Sequence, residues 1–522
     1  MTATPPNDQR PGAGRARLRV MQITDLHANI LPYDYFADRP AQDIGLARTA
    51  GLAAQLRAEA ANALLLDNGD FLQGNPLADY FGQVRGLRPG EVHPVIAAMN
   101  AAGVEVATLG NHDFDYGLDF LHAALAGAGF PVVSANVLTA RGATPADDRM
   151  LVAPWVILDR HLIDEAGHSL PIRVGVIGFA PPQITRWSHP HLDGRISARD
   201  IMQAARAQVP ALRAAGADLV IALCHSGLAE PDHVEGQENA GIPLAGVEGI
   251  DVVLAGHQHL TLPGPAYRGV PGVDADAGTI RGKPAVMAGF WGGHLGVIDL
   301  ALGHDRGRWR ILDHDSRLYP IAARQPDGTV APLVRDMPAV TRAAAPAHAE
   351  TLDYVRRPVG RCTGALHSYF ALAGADPCVA LLAQAQRAHV RQALKGTEHD
   401  GLPILSAVSP FKAGGRGGPE YYSDVPAGDL AIRHVADLYP YPNTVQAVRL
   451  TGAQVRAWLE RAASLFNRIV PGQPDQMLME RDAPAYQFDV LDGLRYRIDL
   501  GQPARFDALG GPGNPQGRAS SI

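Results

Sequence analysis

The sequence predicts an α/β fold in which a sheet presents polar side chains along one edge. Two observations predict it. Short apolar, β-prone runs alternate with Ala-rich helical stretches. Five polar blocks are spaced along the same region: Asp25-Leu26-His27, Gly69-Asp70, Gly110-Asn111-His112-Asp113, His225 and Gly256-His257-Gln258-His259. Four of the five directly follow such an apolar run.

Taken in order, residues 18–24 read as a strand that Asp25 ends. Residues 45–61 read as an Ala-rich helix and 63–66 as a buried strand. A helix over 94–102 precedes a strand over 104–109 that runs into Gly110, and 132–135 is another short strand. Strands at 172–177 and 219–223 flank a helix over 198–214. Strands at 252–255, 284–288 and 294–302 lie closer together, which points to antiparallel parts. Residues 320–332 are polar and contain Gly and Pro. A helix over 333–354, interrupted near Pro338 and Pro346, follows as a connector. A second domain of different character starts near Val359, with dense Gly/Pro loops at 410–419 and 439–443 and a helix over 452–466. The expected partition is a disordered lead-in over 1–17, a first domain over 18–325, a linker helix within 326–358 and a second domain over 359–522.

Bulk properties narrow the function classes. At 522 residues the chain is too long for one core. A net charge of −7 argues against a broad face for polymeric nucleic acid. No run of eighteen or more apolar residues is present, so no membrane span is expected. Residues 1–19 are basic but lack the apolar core of a signal peptide. The expected location is therefore cytoplasmic if Met1 is the true start. The three cysteines are too scattered for a disulfide framework, and Cys224 reads as a packed strand residue.

The blocks supply two carboxylates, one amide and several imidazoles. Mixed N/O donors of this kind suit two divalent ions of the Mn²⁺, Zn²⁺, Fe²⁺ or Co²⁺ type. Asp25 and His27, two apart at a strand end, can face one side if the strand bends there. Asp70 offers two oxygens and can bridge a pair of ions. Asn111, His225, His257 and His259 complete the donor set. His112, beside a ligand, is placed to act as a general acid for a leaving oxygen or as a cation stabilising the transition state, and Asp115 to orient it. Alone, each block also reads as an ordinary turn or cap. His189 and His191, around Pro190, read as loop residues. His93, His122, His161 and His168 read as surface or satisfied core residues.

These blocks resemble the calcineurin-like metallophosphoesterases. Gly69-Asp70-Phe71-Leu72-Gln73-Gly74 and Asn111-His112-Asp113-Phe114-Asp115 look like the 5′-nucleotidase group. The resemblance covers residues of about 18–518 and implies a four-layer α/β/β/α metallophosphatase domain, a linking helix and a mixed α+β substrate-binding domain. It implies one metal on Asp25, His27, Asp70 and His259, and a second on Asp70, Asn111, His225 and His257. His112 and Asp115 match the catalytic pair. Ser409-Pro410-Phe411-Lys412-Ala413-Gly414-Gly415-Arg416-Gly417-Gly418 and Tyr439-Pro440-Tyr441-Pro442-Asn443-Thr444 resemble the bacterial bifunctional 2′,3′-cyclic-nucleotide 2′-phosphodiesterases/3′-nucleotidases. Tyr441 would then stack on a nucleobase, Asn443 would bond near the base or sugar, and Arg416 would bind phosphate or another acceptor.

That resemblance implies hydrolysis of nucleoside 2′,3′-cyclic phosphates to 3′-nucleotides, then to nucleoside and phosphate. The alternatives are a 5′-nucleotidase or nucleotide-sugar hydrolase, and a nucleotide or metal binder without turnover. The expected partner is a small nucleotide and the expected state a monomer. Family members are usually periplasmic. They also continue past the last residue here with a second stacking aromatic, so the expectation is a half-built base pocket and a marginal second domain.

Overall fold

The computed structural model describes residues 14–506 except 416, 417, 419, 442 and 480–484. The chain forms two compact units, one up to Asp353 and one from Tyr354 onward.

In chain order the main strands of the first unit begin with β1 (Gly14–Ile23), β2 (Ala63–Asp67), β3 (Val106–Thr108) and β4 (Val132–Val133). Then come β5 (Trp155–Ile163), β6 (Ser169–Phe179), β7 (Leu219–Cys224), β8 (Val252–Ala255) and β9 (Thr261–Leu262). The series closes with β10 (Val273–Asp274), β11 (Thr279–Ile280), β12 (Lys283–Ala288), β13 (His294–Asp305) and β14 (Arg308–Pro320). One sheet has six strands in the order β14-β13-β1-β2-β3-β4. The other has eight, β10-β11-β12-β8-β7-β6-β5 with β9 beside β12. Strands β1 to β4 are mutually parallel, as are β6, β7, β8 and β12. The later strands β13 and β14 add antiparallel partners to β1.

Strand alternation builds four layers. Leu64 and Leu66 of β2 and Leu219, Ile221 and Leu223 of β7 meet in one apolar layer between the sheets. Leu65 instead faces a helical layer made by α1 (Leu46–Ala58), α2 (Pro94–Ala102) and α3 (Leu118–Leu125). Val220, Ala222 and Cys224 face α4 (Ile201–Ala214) on the other side. Both faces of these strands are covered, which is why they read as continuous apolar runs. The α/β/β/α order matches expectation.

Several element readings are corrected. Residues 14–17 are not part of a lead-in: they pair with 301–304 of β13, and residues 1–13 lie outside the described residues. Backbone ladder bonds to a long neighbour hold this stretch, and composition cannot show them. Strands β5 and β14 escaped the sequence reading. Both are broken by runs of polar residues, Asp159-Arg160-His161 in β5 and Asp313-His314-Asp315-Ser316-Arg317 in β14, and owe their place to antiparallel pairing with β6 and β13. Helix α5 (Pro338–Val355) starts at Pro338 rather than at 333, and no interruption occurs at Pro346. Pro338 sits where a missing N–H costs nothing. Val340, Ala344 and Ala347 anchor the helix in the first unit's core, which outweighs the bond lost at Pro346. His189 and His191 belong to a one-turn helix, His189–Leu192, rather than a loop.

The second unit contains α6 (Pro377–Leu394), α7 (Ile432–Leu438), α8 (Gly452–Ala462) and several two-stranded pairs. Thr451 and Gln454 cap α8 reciprocally. Helix α8 ends at Ala462, and a 3₁₀ turn (Ala463–Leu465) carries the chain on towards 466. The unit's apolar clusters are small: Ala371, Val379, Ala383 and Val408 form one, and Ala462, Leu465, Phe466 and Phe488 another. No helix among the described residues is long and apolar enough to cross a membrane.

Candidate metal centre

The turns that follow the parallel strands carry the polar blocks. Asp25 and His27 follow β1, Asp70 follows β2, and Asn111 follows β3. His225 follows β7, and His257 and His259 follow β8. Ligand sites in open α/β sheets sit at such carboxyl ends. The turns are interlaced: Asp25 N–H donates to Gly69 O, His27 N–H to Asp70 O and Trp291 N–H to Asp25 O.

These turns are strained. Asp25 (φ 51°), His27 (47°), Asp70 (57°), His257 (69°) and His259 (57°) all adopt left-handed backbone conformations. Each costs on the order of 1–3 kcal/mol for a residue with a side chain. Two sheets' worth of packing offsets this strain and fixes the side-chain directions. Gly110 permits close approach: a Cβ there would lie 2.1 Å from Asp70 Oδ1.

The side chains gather in two groups. Asp25, His27 and His259 offer donor atoms within 4.8 Å of one another, and so do Asp70, His225 and His257. The groups touch, with His225 Nε2 3.1 Å from Asp70 Oδ2 and 3.9 Å from Asp25 Oδ1. His27 Nε2 and His259 Nε2 face each other at 2.9 Å. The outer ring nitrogens are engaged. His27 Nδ1 lies 2.8 Å from Gln73 O and His225 Nδ1 2.7 Å from Asn68 O. With Nδ1 engaged in this way, Nε2 is the ring nitrogen left to face an ion.

The donor set fits divalent ions. Asp25 Oδ1, Asn111 Oδ1 and His225 Nε2 are buried without a hydrogen-bond partner. Buried orphan acceptors around two buried carboxylates are what a cation would satisfy. The carboxylates already act this way on nearby protons. Burial pulls the His225 pKa down, yet Asp70 and Asp25 outweigh it and raise it to about 10. Burial, then His259, pushes His27 down to about 3.

His112 begins a short 3₁₀ turn, His112–Phe114. Its N–H donates to Asp70 Oδ1 at 2.7 Å and its Nδ1 bonds Asp115 Oδ2 at 2.7 Å. The ring is edge-on to His27 with centroids 5.2 Å apart. Of the other histidines, His93 is a buried helix cap and His168 pairs with Asp164 on the surface. Cys224 is fully buried, and burial pushes its thiol up to about 12, as packing requires.

In the second unit, Tyr441 and Asn443 lie on the exposed chain after α7. Tyr441 packs edge-on to Phe411 at 5.1 Å, and Asn443 Nδ2 donates to Tyr439 Oη at 3.1 Å. Arg416 lies outside the described residues.

Some neighbours escaped the sequence reading. Asp113 accepts from the N–H groups of Asp70, Phe71, Leu72 and Gly110 and shapes the Asp70 turn. Glu238 bonds His257, Trp187 stacks on His257, and Phe290 stacks on His259. Only Asp113 gave a signal, being part of a polar block. The others come from separate segments of the chain.

This geometry defines a class, and family comparison agrees with it. Residues 18–260 match the calcineurin-like phosphoesterase family and residues 360–515 the 5′-nucleotidase C-terminal domain. Such proteins are metal-dependent phosphoric ester hydrolases, and the family implies divalent metal ions. The chain is 42% identical to the trifunctional nucleotide phosphoesterase protein YfkN of Bacillus subtilis, over 97% of this chain and 34% of that one. It is 40% identical to the 2′,3′-cyclic-nucleotide 2′-phosphodiesterase/3′-nucleotidase of Salmonella typhimurium, over 97% of this chain and 77% of that one. A crystal structure of calcineurin-like phosphoesterase YfkN superposes with TM-score 0.60 at 40% identity, over 66% of this chain and all of that one. The chain thus spans about a third of the Bacillus protein's length and about three-quarters of the Salmonella protein's. It belongs to the family of the bacterial 2′,3′-cyclic-nucleotide 2′-phosphodiesterases/3′-nucleotidases.

Proposed function

We propose that this chain hydrolyses nucleoside 2′,3′-cyclic phosphates to 3′-nucleotides, and 3′-nucleotides to nucleoside and phosphate. The convergence of two Asp/His groups, each drawn from the strand ends of both sheets, carries the reading. The names of its relatives supply the substrate class.

Asp25, His27, Asp70 and His259 would hold one divalent ion, and Asp70, Asn111, His225 and His257 a second, with Asp70 between them. Bound there, the ions would be of the Mn²⁺, Zn²⁺, Fe²⁺ or Co²⁺ type, and would polarise the phosphoryl group and activate water. The chain's own contribution is proton placement. Asp115 fixes His112 through Nδ1 and leaves Nε2 to donate to the departing ribose oxygen. In the second unit, Tyr441 would stack on the base, Asn443 would bond near base or sugar, and Arg416 would take phosphate or another acceptor. The substrate is a small nucleotide and the enzyme acts as a monomer. Family resemblance supports a periplasmic location, which identifying the mature N-terminus would test.

The test is phosphate release from 2′,3′-cyclic AMP, 3′-AMP and 5′-AMP with Mn²⁺, and with a chelator as control. Chelator-sensitive turnover of the first two supports the proposal. Turnover of 5′-AMP alone would replace it with a 5′-nucleotidase. Tight nucleotide binding with no release would make the chain a binder.

A further inference from the structure

We infer that Glu238 is a positioning residue for the second of these metal sites, acting through His257 together with Trp187. The inference rests on the dinuclear reading above. His27 and His225 hand their outer N–H groups to backbone carbonyls, but His257 Nε2 lies 2.9 Å from Glu238 Oε1. This contact leaves Nδ1 as the nitrogen for an ion. The indole of Trp187 lies over the same ring, with centroids 5.7 Å apart and planes 26° from parallel. One contact fixes the ring in its plane and the other fixes the plane itself.

The loop that carries Glu238 is tied to the other imidazole of that site. Ser226, next to His225, donates its hydroxyl to Glu238 O at 2.6 Å and accepts from Ala240 N–H at 2.7 Å. Gly227 N–H donates to Asn239 Oδ1 at 3.2 Å. Further along, Gly236 N–H donates to Asp200 Oδ2 at 2.9 Å, and Gln183 Nε2 to Gly236 O at 2.7 Å. The turn that presents His225 therefore also holds the carboxylate that aims His257. A carboxylate partner makes an imidazole a stronger donor than a carbonyl partner does, and losing such a partner costs about 10–100-fold in metal affinity.

The experiment is calorimetric titration of Zn²⁺ into metal-free full-length chain: wild type, Glu238→Ala, Glu238→Gln, Trp187→Ala and the loop control Glu230→Gln. Wild type and control should show two binding events. Glu238→Ala should weaken one event by about 10–100-fold and leave the other unchanged. Glu238→Gln, which keeps an acceptor oxygen, should fall between, and Trp187→Ala should weaken the same event. Melting temperatures of the metal-free variants should match wild type. Two unchanged events in Glu238→Ala would overturn the role. Equal weakening of both would also overturn it, pointing to a structural effect. Complete loss of one event would make Glu238 a ligand, not a positioning residue. A wild-type chain that binds no Zn²⁺ would overturn both the dinuclear reading and this inference. Two bound ions without cyclic-phosphate turnover would sink only the substrate assignment.

Discussion

His112 separates proton transfer from metal binding at the level of single atoms, because its side chain faces Asp115 and only its N–H reaches Asp70. His112→Ala should therefore lower kcat by about 10²–10⁴-fold with metal content unchanged. Elemental analysis beside steady-state kinetics checks this, and loss of metal in the variant would reassign His112 as a ligand. Gly110 offers a second probe. A methyl group there would meet Asp70 Oδ1 at 2.1 Å, so Gly110→Ala should displace that carboxylate and weaken binding at both ions. Two Zn²⁺ events of wild-type strength would refute it. At this scale the polar blocks that gather at the strand ends were legible in the sequence, since Asp, Asn and His after apolar runs announce themselves. Glu238, Trp187 and Phe290 were not, because each reaches its imidazole from a different segment of the chain.

Elements show the same division. Helix α2 begins at Pro94 and is capped by His93, whose Nδ1 accepts from Val95 N–H at 3.3 Å. His93 is fully buried, and burial drives its pKa down to about 3. The folded chain thus keeps it neutral while the unfolded chain takes up a proton below a pH of about 6.5. Its contribution is complete above that pH and is lost as pH falls towards about 3, by about 1.4 kcal/mol per unit. His93→Asn keeps a cap but does not titrate. Its urea-melt stability should run below wild type at pH 7 and converge with it by pH 4.5; a constant offset would refute the assignment. Apolar runs revealed β2, β7 and β8 because both of their faces are covered. Strands β5 and β14 are broken by runs of polar residues and owe their place to their partners.

Over the whole molecule, the two units differ in how much they bury. Among the described residues, three large apolar clusters hold the first unit, whereas the second has two small ones and exposes Phe370, Val448 and Met477. Limited proteolysis should cut beyond Asp353 first and leave the first unit intact; early cuts within it would contradict this ordering. Zn²⁺ should raise the melting temperature of the first unit and leave the second unchanged, because ions stabilise only the state that binds them. Scanning calorimetry with and without chelator reads both. The sequence by itself determined the α/β class, the positions of the covered strands along the chain and the polar blocks that end them, because covered strands and the polar turns that follow them leave local patterns. Only the tertiary structure decided that β1 begins at Gly14, that α5 packs into the first core, and that Glu238 and Trp187 brace His257. Those outcomes depend on partners that lie on other elements, so no local pattern in the sequence records them.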